Sequence, residues 1–208
     1  MLVAKRNNRE INREVRHLMY GENAKKAIGT LQKGCEIYGL SKGQFSIINI
    51  IEEVLKQIGK ADVIISTWTA ANSEIKKAEK FLDNGLINKL HFIVDRSFET
   101  RQPKYYKMLI DKFGEIVSTT NSHAKFILIK NDEWNIVIRT SMNLNENKRM
   151  ENFEISDCNV LYSYMSEIAK DVMNVEYSYF EFERLGKDEK YNHLKPISKN
   201  KIDDSFFE

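Results

Sequence analysis

From Phe45 to Cys158 the chain switches repeatedly between two hydrophobic rhythms, and that alternation constrains its fold more than any other feature. FSIINIIEEVLKQI (45–58) places apolar residues three and four apart and stops at Gly59, the spacing of an amphipathic helix with a glycine past its end. ADVIISTWTA (61–70) is β-branched and bounded by polar residues, which predicts a strand. SEIKKAEKFLDNG follows, capped by Asn72 or Ser73, with Ile75, Ala78, Phe81 and Leu82 on one helical face. LHFIVD reads as a second buried strand, Pro103 opens a helix through KYYKMLIDKFG, and EIVSTT is a third strand. HAKFILIK and WNIVIRTS are a fourth and fifth, joined by a turn at Asn131-Asp132. ENFEISDC is a further strand, and a long helix is expected from Tyr162 to Phe182. Strands separated by helices of about a dozen residues predict an α/β fold: a three-layer α/β/α domain with a mixed, mostly parallel sheet. The hairpin at 123–141 supplies its antiparallel part.

The remaining segments are read as appendages. Residues 1–60 form a basic N-terminal extension, helical over 4–20 and cut into short pieces by Gly29, Gly34, Gly39 and Gly43, with CEIYGL as a short strand. Residues 61–186 form the main domain, and 187–208 a polar tail. The formal charge of +2 on 208 residues selects no partner, but residues 1–45 hold nine Lys and Arg against four Glu, a candidate polyanion-facing patch. Cys35 and Cys158 are too few and too isolated for a disulfide framework, and no CxxC, HExxH or histidine cluster offers a metal site. No stretch has the length and apolarity of an export signal or a membrane span, so a cytoplasmic setting without membrane association is expected.

The hairpin carries the chemistry. Side chains alternate across a strand, so His123 and Lys125 share a face of its first arm, and Ser141 and Asn143 share a face beyond its second. The turn brings the end of one arm to the start of the other, so these four polar groups meet at one end of an otherwise apolar ribbon. Burying polar groups costs several kcal/mol unless they are paired or used. An imidazole can attack phosphorus and hold it covalently. An ammonium, an amide NH and a hydroxyl supply the charge and donors that developing phosphate oxygens need, so Lys125 can do what a metal ion does elsewhere. Trp68, closing the strand beside this site, can stack on a base, although a place in the core is the simpler expectation.

HxK at 123–125 followed by SxN at 141–143 resembles the HKD motif of the phospholipase D superfamily: HxK, four residues, Asp, six residues, Gly-Ser-x-Asn. Glu151-Asn152 is similar to a Glu-Asn that small members carry on the next strand, and YGLSKGQFSIINIIEEVL resembles the opening of small phage and prophage members. Lys130 stands where the motif has Asp, Asp132 lies two residues later, and Thr140 replaces Gly. The resemblance implies a metal-independent phosphodiesterase that uses no cofactor, with His123, Lys125, Asn143 and Glu151 catalytic and Ser141, Lys125 and Asn143 holding substrate. Glu151 would accept the second imidazole N–H. The family builds its site from two such motifs; His17 and His91 lack the pattern, and His193-Leu194-Lys195 with Ser198-Lys199-Asn200 lacks its spacing, two residues standing where the stretch at 123–143 has fifteen. A homodimer that completes the site is therefore implied, acting as an endonuclease on nucleic acid, DNA before RNA. Two alternatives follow from the same residues: a catalytically silent dimeric DNA-binding protein, motivated by Thr140, and a phospholipid phosphodiesterase.

Overall fold

A computed structural model describes residues 12–17 and 23–174. Eight strands form one sheet in the order β1-β2-β8-β7-β6-β3-β4-β5. They span β1 (Asn12–His17), β2 (Cys35–Ser41), β3 (Ala61–Thr67), β4 (Ile87–Asp95), β5 (Val117–Thr120), β6 (Phe126–Lys130), β7 (Asn135–Thr140) and β8 (Glu151–Asp157). The helices are α1 (Ala24–Ile28), α2 (Ile47–Ile58), α3 (Asn72–Asp83), α4 (Ser97–Arg101), α5 (Pro103–Phe113) and α6 (Asn159–Asn174). Six strands point one way, and only β6 and β8 run against them. Because those two sit between same-direction neighbours, antiparallel pairings outnumber parallel ones, four to three. The mixed, mostly parallel expectation holds for strand direction but not for strand pairing.

Alternation within the central strands builds the three layers. Val63 and Ile65 of β3, Ile127 and Ile129 of β6, and Ile136 and Ile138 of β7 pack in one large core with α1, α2, α3 and α5. Their neighbours Ile64, Leu128 and Val137 face the other way, onto Tyr162 and Ala169 of α6. Strands buried on both faces lose the polar-apolar alternation of a solvated sheet, which is why their sequences read as nearly continuous apolar runs.

Three sequence expectations change. The segment taken as an N-terminal helix contains strand β1, which pairs in parallel with β2 and sets Arg13 opposite Glu36 in a 2.7 Å ion pair. The remainder of residues 4–20 lies outside the described residues, as do the 175–182 end of the last helix and the 187–208 tail. Residues 23–60 are not an appendage either: β2 lies between β1 and β8, and α2 buries Ile47, Ile48, Ile50, Ile51, Val54 and Leu55 in the main core. α3 is capped by the backbone of Ala71 rather than by Asn72 or Ser73. The Ala71 N–H donates to Leu144 O at 2.8 Å, so a tertiary bond sets where that helix begins.

Gly39 does not break the chain but lies inside β2, with the ring of Phe153 over it. A Cβ there would stand 2.2 Å from that ring, and Phe153 is fully buried between Gly39 and Phe45. Gly39→Ala is therefore expected to destabilise the fold by about 1–3 kcal/mol, the usual cost of overpacking a closed core, read from the urea midpoint.

His91 on β4 is 5% exposed and bonds Ser118 Oγ at 2.9 Å; burial pushes its pKa down to about 4, from 6.5. The folded state thus binds fewer protons than the unfolded state between those values. Stability should be level above pH 6.5, fall as pH drops toward 4, and lose about 3 kcal/mol across that window. Urea unfolding at stepped pH checks this, and His91→Asn should flatten the fall.

Candidate active site

The strand ends bring the hairpin residues together. β6 begins and β7 ends at the carboxyl ends of the same-direction strands, where open α/β sheets receive their ligands. His123 and Lys125 lie just before β6 rather than within it, and Ser141 and Asn143 just after β7. The two segments are tied by Thr140 N–H to Lys125 O at 3.3 Å, and Ser141 N–H reaches Asn152 O on β8 at 3.2 Å.

His123 is exposed, and Lys125 is half-buried beside it. The ammonium stands 2.8 Å from Nδ1 and 3.3 Å from Nε2 of the ring. A charged ammonium can only donate, so in this contact the ring offers it a nitrogen lone pair. Burial lowers the pKa of Lys125, against the opposing pull of Glu151 and Asp95. The ammonium is therefore a poorly solvated cation that gains from an anion placed on it.

Asn143 is oriented by the backbone. Its Oδ1 accepts from Trp68 N–H at 3.3 Å, leaving its NH2 as the donating end. The neighbouring stitches are dense: Leu144 N–H donates to Thr67 Oγ1 at 3.1 Å, and Ser66 Oγ donates to Ala124 O at 3.0 Å. The end of β3 is in this way fastened to both arms of the hairpin.

Glu151 does not take the place expected for it. One carboxylate oxygen accepts from Ser141 Oγ and the other from Asn147 Nδ2 at 2.7 Å, so both are engaged away from His123. Ser141 Oγ in turn accepts from Asn152 N–H at 3.0 Å. Glu151 thus anchors the loop after β7 and holds the serine hydroxyl. Thr140 is likewise structural: its hydroxyl donates to Asn152 O at 2.7 Å and accepts from Met142 N–H at 3.0 Å, so the side chain joins β7 to β8 where glycine would leave a gap. Asp132 is exposed in the turn, where Asn131 Oδ1 caps the N–H groups of Glu133 and Trp134.

Trp68 is a site residue rather than a core one. It is half-buried, its ring centre lies 4.9 Å from that of His123, and the guanidinium carbon of Arg101 stands 3.4 Å over its ring. Arg101 on the five-residue α4 had no signal in the sequence, since the turn is too short for periodicity. Asp95, at the end of β4, is buried. Its Oδ1 accepts from Ser97 N–H at 2.9 Å and its Oδ2 from Ser122 N–H at 3.1 Å. Among the described residues, no group of three or more His, Cys, Asp or Glu could hold a metal ion, and no helix is long and apolar enough to cross a membrane.

No protein-family model matches the sequence, and no curated protein matches it significantly. Solved structures do match. A phospholipase D family member, Nuc from Salmonella typhimurium, aligns at 18% identity with a TM-score of 0.47, over 67% of this chain and 93% of that one. A polyphosphate kinase from Porphyromonas gingivalis aligns at 12% identity and TM-score 0.49, over 66% of this chain and 26% of its own length. A phosphatidylserine synthase from Haemophilus influenzae aligns at 16% and 0.42, over 65% of this chain and 37% of its own. With TM-scores below 0.5, these likenesses carry no inference about what this chain does.

Proposed function

We propose that this chain is a phospholipase D-like phosphodiesterase that cleaves nucleic acid, DNA in preference to RNA, without a metal ion. The observation that carries the reading is the pairing of an exposed imidazole with a poorly solvated ammonium 2.8 Å away, at the end of a rigid sheet. Asn143 and Ser141 add donors within the same cluster of loops.

In this mechanism a phosphodiester oxygen draws the Lys125 ammonium off the ring. The imidazole then takes the tautomer with its proton on Nδ1 and a lone pair on Nε2. Nε2 attacks phosphorus, a P–N bond forms, and the P–O bond to the leaving oxygen breaks. That oxygen needs a proton. Among the described residues the other imidazole whose side chain is placed is His91, buried against Ser118. The sequence's other HxK and SxN, His193-Leu194-Lys195 and Ser198-Lys199-Asn200, are separated by two residues rather than the fifteen between Lys125 and Ser141, so they do not repeat the motif's spacing, and they lie outside the described residues. A second copy of the chain would supply its own His123 as the acid, across a twofold axis. The same imidazole then takes a proton from water, which attacks the phosphohistidine and breaks the P–N bond. The Nδ1–H needs an acceptor during these steps, and Glu151 can serve once Ser141 turns its hydroxyl to the phosphate.

The test combines solution mass with mixed dimers. The wild-type chain should have the mass of a dimer and cleave plasmid or single-stranded DNA in excess EDTA. Dimers pairing one wild-type chain with one His123→Ala chain should be inactive, because each reaction uses both imidazoles. A strictly monomeric active enzyme, or mixed dimers with half the activity, would remove the composite site.

A further inference from the structure

We infer that Arg101, seated on the indole of Trp68, is a second anion ligand of this site and takes the phosphate next to the one that His123 attacks. The inference rests on the phosphodiesterase reading and deepens it: the preferred substrate is a run of at least two phosphodiesters, not an isolated one.

The guanidinium is held in place on several sides. Its carbon lies 3.4 Å over the Trp68 ring, Nη2 donates to Trp68 O at 2.9 Å, and Nε donates to Ser97 Oγ at 2.9 Å. Trp68 is itself fixed, its N–H bonded to Asn143 and its ring against His123. The imidazole centre can therefore be no farther from the guanidinium carbon than the two ring distances combined, which puts the imidazole and the guanidinium on neighbouring subsites of one surface.

The direct partners of the guanidinium are neutral, a carbonyl and a hydroxyl. The carboxylate whose charge acts on Arg101, Asp95, spends its oxygens on Ser97 N–H, Ser97 Oγ and Ser122 N–H rather than on the arginine. Asp95 thus aims both arms at once: through Ser97 it holds Arg101, and through Ser122, whose Oγ accepts from Ala124 N–H at 3.1 Å, it holds the turn that carries His123. Nη1 makes no bond to any described residue, and the side chain is exposed. A planar fork with spare donors, pinned flat and not neutralised by contact, suits a phosphate oxygen pair better than a mobile lysine would.

The experiment measures binding and hydrolysis side by side. In a His123→Ala background, which prevents turnover, Arg101→Ala should weaken binding of a short oligothymidylate and reduce the slope of log affinity against log salt by about 0.7, the loss of one phosphate contact on a single strand. Ser97→Ala, which keeps the charge but loosens it, should weaken binding with the slope kept. In the otherwise wild-type chain, Arg101→Ala should lower kcat/KM about tenfold more on the oligonucleotide than on bis(4-nitrophenyl) phosphate, a single diester. An unaltered salt slope, equal losses on both substrates, or no oligonucleotide binding at all would overturn the assignment. Should the wild-type chain hydrolyse neither compound while the slope still changes, the catalytic reading falls and the anion subsite stands.

Discussion

Replacing His123 with alanine is expected to reduce phosphodiester cleavage at least a thousandfold, measured on bis(4-nitrophenyl) phosphate and on single-stranded DNA in excess EDTA. The expectation follows from what alanine cannot do. In the proposed mechanism the nucleophile and the proton carrier are the same residue in two copies, so one substitution would remove both covalent catalysis and general acid catalysis. The loss should fall on kcat, since on this proposal Lys125 and Asn143 would still hold the phosphate. Stability should barely move, because the ring is exposed and its contacts are with the Lys125 ammonium and the tilted ring of Trp68. A variant that folds normally and still cleaves would exclude His123 as nucleophile. Capture of a phosphorylated histidine in the wild-type protein by rapid acid-free quenching would support the role directly.

Lys125→Met should cost about 100- to 1,000-fold in kcat/KM, the range found when one preorganised electrostatic contact to a developing charge is deleted. Methionine keeps the length of the side chain and removes only the ammonium. The pH profile adds a second readout. In the proposed mechanism Lys125 acts in its protonated form, and burial lowers its pKa below the ordinary 10.5. In the free enzyme, the activity profile should therefore include a basic limb for Lys125 that begins earlier than an unperturbed lysine would allow. That limb should be missing from the residual activity of Lys125→Met. An unchanged limb would assign the titration to another group.

Much of the fold was legible because the central strands and helices differ in period. β3, β4, β6, β7, β8, α2, α3 and α5 each announce themselves by a run of apolar residues with the right spacing and a Gly, Pro or polar stop. β1 did not, because on this edge strand Arg13 and Val15 are exposed, and its charges read in sequence as a helix face. Gly39 misled for a related reason: a glycine that makes room for a ring looks, in sequence, like one that ends an element. Of the candidate site, His123, Lys125, Ser141 and Asn143 could be brought together from hairpin geometry alone. The partners of Glu151 could not, since they depend on how the loop at 145–150 turns back. Arg101 and Asp95 were invisible because their place in the site is made by tertiary contacts between the ends of β4, α4 and the turn before β6.

The position of β2 has one more consequence. Its register sets Ser41 opposite Glu151 and Gly39 opposite Phe153, so the front of the chain props up the strand on which the loop carrying Ser141 is anchored. Cutting the protein at residue 60, where the sequence invites a boundary, would strip the cover from a long apolar ribbon and expose its unpaired backbone. Such a fragment would sooner stick to its own copies than catalyse anything.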